Sequence, residues 1–105
     1  MKLVRDMIPA IIYEAGGSCE WRYCKDKQEY VELLIEKLNE EALELTEAEN
    51  QDARIEEAGD LFEVLSALLK VYGVSLPQSE ASAYKKRHRR GGFEAKIVLE
   101  SFERP

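Results

Sequence analysis

The chain has no apolar run approaching the ~20 residues that a membrane-spanning helix needs, so a membrane protein is not expected. Cysteine is scarce. Cys19 and Cys24 lack CxxC spacing, and no second Cys/His pair exists to complete a zinc site. Two free thiols are expected instead. The one histidine, His88, lies inside a basic run and reads as an exposed member of it. Positive charge does not dominate: the formal net charge is −6, which argues against a nucleic acid polymer or an acidic membrane as partner. There are no repeats, low-complexity tracts or long linkers. The opening residues, Met1-Lys2-Leu3-Val4-Arg5-Asp6, carry charge where an export signal would be apolar, so the cytoplasm is the expected location.

What is present is a balanced globular composition, 45% hydrophobic and 34% charged over 105 residues. That length predicts a single domain over 1–105 with a modest core, of the size that oligomerisation often completes. The periodicity is mainly helical. Asp6 is positioned to cap a first helix with Pro9 in its first turn, closing at Gly16-Gly17. Asp26 and Glu29 resemble a capping box opening a second helix that runs to about Ala48. Its apolar positions are Tyr30, Leu33, Leu34, Leu38, Ala42 and Leu45. The connection Asn50-Gln51-Asp52 is short enough to force an antiparallel hairpin with a third helix over 52–72, which stops at Gly73. Ser75 and Pro77 start a fourth, ending at Gly91-Gly92. Residues 19–24 and 93–102 alternate, predicting a small two-stranded β element. Within the first of these, Trp21 and Tyr23 read as core aromatics, with stacking on a base as the alternative. The fold class is thus mainly α, with a helical hairpin forming a four-helix core across a dimer or a dimer of dimers.

Two short patterns carry the chemistry. Glu41-Ala42-Leu43-Glu44 and Glu57-Ala58-Gly59-Asp60 each set two acids on one helix face at i, i+3. Glu41 falls at i+7 from Leu34, on the apolar stripe of the second helix. Glu57 and Asp60 align with Leu61, Val64, Ala67 and Leu68 on the third. Three acids therefore point where the pattern says core, and Glu44 lies at its edge. Buried carboxylates are costly and repel one another, so protons, basic partners or cations must answer them. A hard divalent cation with oxygen ligands does so most directly. A solvated face on an acid-rich hairpin is the competing reading.

Glu41-xx-Glu44, a twelve-residue gap, then Glu57-xx-Asp60 resembles the metal signature of the all-α nucleotide pyrophosphohydrolase superfamily, which includes MazG-type enzymes, dimeric dUTPases and phosphoribosyl-ATP pyrophosphohydrolase. Lys2-Leu-Val-Arg-Asp6 with Ile8-Pro9, Lys37-Leu-x-Glu-Glu41 and Arg90-Gly-Gly-Phe-Glu94 extend the resemblance over nearly the whole chain, toward a small house-cleaning branch. It implies hydrolysis of the α–β bond of a nucleoside triphosphate, canonical or not, to a monophosphate and pyrophosphate. Glu41, Glu44, Glu57 and Asp60 would be the Mg2+ ligands, with Mn2+ as a possible substitute, and Glu40 beside them is a candidate base for the attacking water. Two departures stand out. Met7 occupies a position where related sequences usually carry lysine, and the Leu61-Phe62-Glu63 that follows Asp60 lacks the Tyr-His typical of phosphoribosyl-ATP pyrophosphohydrolases.

The basic run 85–90 suits the end of a helix, where cations meet the negative end of the dipole. In a nucleotide hydrolase, Lys86, Arg87 and Arg90 are also candidate phosphate contacts, together with Arg5 and Lys37. A phosphoribosyl-ATP pyrophosphohydrolase and a non-enzymatic helical interaction module are the alternatives. A di-iron bundle would call for Glu-x-x-His pairs, and neither pair contains histidine.

Overall fold

The computed structural model describes residues 1–105 and contains four helices: α1 (Ile8–Glu14), α2 (Lys27–Glu47), α3 (Gln51–Val71) and α4 (Leu76–Arg90). The chain forms two compact units, Met1–Gly73 and Val74–Pro105. In the first, α2 and α3 pack as a hairpin across the connection 48–50.

The caps explain where these helices begin. Asp26 accepts a hydrogen bond from Glu29 N at 2.8 Å, and Asn50 accepts one from Ala53 N at 2.8 Å. Glu29 does not return the bond to Asp26. Its carboxylate accepts instead from Lys25 N at 2.9 Å and from Arg22 at 2.6 Å, so the reciprocal capping box expected there is not formed. In the second unit, Ser75 and Gln78 do make a full capping box at the start of α4. Gly73 and Gly91, at φ 73° and 85°, take the left-handed backbone that follows α3 and α4.

Four sequence expectations fail for physical reasons. Asp6 caps nothing, because α1 begins a residue later than it would need to. Met7 is the N-cap, at φ −90° and ψ −1°, and no side chain caps the helix. The two-stranded β element is absent. Residues 93–102 turn at Lys96, whose φ is 59° and whose N–H donates to Phe93 O at 3.0 Å, and this breaks the extended run. Phe93, Ile97 and Leu99 stay exposed, so the alternation has no surface to cover. Trp21 and Tyr23 stack edge-to-face at 5.2 Å but are exposed, not core. Ala42, counted with the apolar stripe, also faces outward.

The core of the hairpin is thin. Leu34, at 2% exposure, and Val64, at 9%, are its buried apolar residues, and the third buried side chain is a carboxylate, Glu41, at 5%. No helix is long and apolar enough to cross a membrane.

Candidate metal centre

α2 and α3 bring the two acid pairs together. One carboxylate oxygen from each of Glu41, Glu57 and Asp60 lies within 4.8 Å of the others, and the same holds for Glu40, Glu41 and Glu44. Glu41 belongs to both groups. The i, i+3 spacing sets each pair on one face, and packing of the hairpin turns those faces toward each other.

The electrostatics are those of a crowded anionic site. Burial raises Glu41 above the ordinary carboxylate range, the neighbouring Glu44 and Asp60 raise it further, and Lys37 opposes them. Glu57 is pushed up to about 7 by burial first, then by Glu44, Asp60 and Glu41. Nearby cations answer only part of this charge. Lys37 Nζ lies 3.5 Å from Glu41 and 3.8 Å from Glu40, and Lys2 reaches Glu40 at 3.6 Å. Arg5 meets Asp60 at 2.8 Å. It is placed by a turn in which Ile8 N donates to Arg5 O at 3.1 Å.

Two polar atoms are left over: Glu41 Oε2 and Glu57 Oε2 are buried with no hydrogen-bond partner. Buried carboxylate oxygens without donors are costly, and both belong to the same three-acid group. All donors here are hard oxygens, a set that suits magnesium or manganese rather than zinc. The residues present therefore fit a divalent cation.

The predicted residues divide between the two units. Arg5, Lys37, Glu40, Glu41, Glu44, Glu57 and Asp60 lie together in the first. Lys86, Arg87 and Arg90 lie in the last turns of α4, in the second. There Arg87 donates to Glu94 at 2.7 Å, which holds Glu94 below its usual range. Lys2 was not among the candidate site residues, yet it stands beside Glu40; its place in the Lys2–Asp6 motif was the available signal. Cys19 and Cys24 are free and half-buried.

Against known protein families, residues 18–87 match the model of phosphoribosyl-ATP pyrophosphohydrolase. The chain belongs to that family. The match spans α2 and α3 whole, with all four acids of the two pairs, and most of α4. It places the chain within the all-α pyrophosphohydrolase superfamily that the acid pairs resemble, and makes it a pyrophosphohydrolase, a hydrolase of phosphorus anhydrides. Lys2, Arg5 and the Arg90–Glu94 motif lie outside the matched residues. No curated protein and no solved structure matches the chain.

Proposed function

We propose that this site hydrolyses the α–β pyrophosphate bond of a phosphoribosyl-ATP-like nucleotide, with Mg2+ held by Glu41, Glu44, Glu57 and Asp60. The observation that carries the metal is the pair of buried, partnerless oxygens on Glu41 and Glu57. The family match carries the substrate class. Bound there, magnesium supplies charge neutralisation on phosphate oxygens and acidifies water.

The chain's own residues do the rest. Glu41 and Glu57 present buried, unpartnered carboxylate oxygens from α2 and α3. Arg5 and Lys37 are cations beside the acids that can meet phosphate oxygens. Lys86, Arg87 and Arg90 form a cationic group in the last turns of α4, in the second unit, with side chains of the kind that bind phosphate. Glu40 lies within reach of Glu41 and Glu44 and is the candidate base, its carboxylate oriented by Lys2 and Lys37. In this reading residues 1–105 work as one domain in the cytoplasm, and hairpins from two chains combine into a four-helix core.

Hydrolysis of a wider set of nucleoside triphosphates is the second reading, favoured by the lack of the family's Tyr-His in Leu61-Phe62-Glu63 after Asp60, and by Met7 standing where the resemblance leads one to expect lysine. A substrate panel separates the two. Pyrophosphate release with magnesium is measured for phosphoribosyl-ATP and for canonical and modified nucleoside triphosphates. A clear kcat/KM preference for phosphoribosyl-ATP supports the first reading, and preference for a triphosphate supports the second. No release from any substrate, with magnesium or manganese, rules out both in favour of an interaction module.

A further inference from the structure

We propose that Arg5 is an exchangeable partner of Asp60: it neutralises this carboxylate while the metal centre is empty, and passes to substrate phosphate when a divalent cation enters. The inference rests on the metal-centre reading above.

Three observations lead to it. Within the group Glu41, Glu57 and Asp60, the first two keep buried oxygens without partners, whereas Asp60 has its charge answered by Arg5 at 2.8 Å. Glu41 is 5% exposed and aimed into the group, so the site is built to receive a cation rather than merely acidic. The Arg5 side chain is 57% exposed and hangs from the irregular lead-in before α1, so it can swing away without unwinding a helix.

The chemistry of exchange is favourable. A guanidinium presents the same planar fork to a carboxylate and to a phosphate. A divalent cation at the three acids brings a concentrated charge to Asp60, which weakens the attraction of Arg5 for it. A freed Arg5 then stands beside the metal, where the phosphates of a substrate must lie. Metal entry and phosphate affinity are in this way coupled through one side chain.

The opposing possibility is that Arg5 stays in place and orients Asp60 toward the metal, as outer partners of metal ligands commonly do. The two predict opposite signs. If Arg5 competes, its removal tightens metal binding; if it orients, removal weakens it.

The test uses Mn2+ alone, followed by electron paramagnetic resonance, on the wild type, Arg5→Ala and Lys2→Ala. Lys2→Ala removes the same charge from Glu40, outside the group of three, and controls for general electrostatics. Arg5→Ala is expected to bind Mn2+ on the order of two- to fivefold more tightly, the worth of an exposed ion pair, with a smaller gain for Lys2→Ala. With Mn2+ saturating, Arg5→Ala is expected to bind inorganic pyrophosphate about tenfold more weakly, the loss of a charged hydrogen bond. Should Arg5→Ala misfold by circular dichroism, Arg5→Gln takes the same measurements. Unchanged or weaker Mn2+ binding, an equal gain in Lys2→Ala, or unaltered pyrophosphate binding each overturns the exchange while leaving the metal centre standing. No Mn2+ binding by the wild type overturns the metal centre itself, and the exchange with it.

Discussion

Glu41 and Glu57 bring carboxylate oxygens within 4.8 Å across the α2–α3 hairpin, and each keeps a buried oxygen that nothing else in the chain satisfies. Because Glu57 is raised from 4.5 to about 7, the folded chain holds a proton there that the unfolded chain releases. The contribution of Glu57 to metal-free stability is thus full below pH 4.5 and is lost as pH rises through about 7. Cation binding should reverse this by displacing the proton. Calorimetry of Mg2+ binding at pH 6.5 in buffers of different ionisation enthalpy should detect proton release, falling toward zero above pH 8. Binding without proton release at pH 6.5 would contradict the shared site.

Glu29 works in the opposite direction. Its hydrogen bond from Arg22 comes first, and that from Lys25 N next, in holding it down at about 2. The stability it contributes is present above 4.5 and lost as pH falls toward 2. Glu29→Gln should flatten the acid limb of the melting-temperature profile and leave the limb near pH 7 unchanged. Hydrogen exchange should show the loosening confined to 22–30, where Arg22 ties the extended segment to the start of α2.

Asp60→Asn should abolish hydrolysis and remove most of the stabilisation that magnesium gives the wild type. Its effect on the metal-free protein is the balance of two terms. Deleting a charge relieves repulsion from Glu41 and Glu57, while the bond from Arg5 loses an ionic acceptor. The pair is exposed, so that loss is about 1 kcal/mol or less. Paired thermal melts with and without magnesium, alongside a pyrophosphate-release assay, read all three effects. Equal magnesium shifts in mutant and wild type would remove Asp60 from the metal centre.

Local signals in the sequence account well for the hairpin and its acids. Asp26, Ser75, Gly73 and Gly91 mark helix ends by chemistry that acts within a few residues. Glu41 shows itself as a charge at an apolar position. Two of the features that the sequence did not show depend on partners distant in sequence. The pairing of Arg5 with Asp60 spans 55 positions and follows only from how the lead-in returns to α3. The alternation over 93–102 is genuine, but a strand also needs a neighbour to bond, and no local pattern supplies one. Asp6 has the right chemistry for a cap one residue too early.

The thin core yields a last prediction, about self-association. Leu34 and Val64 are the only buried apolar side chains, while Ile35, Leu43, Ile55 and Phe62 on the same two helices are 43–66% exposed. Ile55 and Phe62 are seven residues apart and so share one face of α3. A second hairpin packed there would complete the four-helix core, and Phe62→Glu would set a charge inside it. Light scattering should report a dimer or tetramer for the wild type and a smaller species for Phe62→Glu at micromolar concentration. Leu34→Ala acts differently, because Leu34 is already covered within one chain. It should cost roughly 2–5 kcal/mol of stability without changing the assembly of the molecules that remain folded. A wild-type monomer at micromolar concentration, with Phe62→Glu no less stable, would show that this face needs no partner.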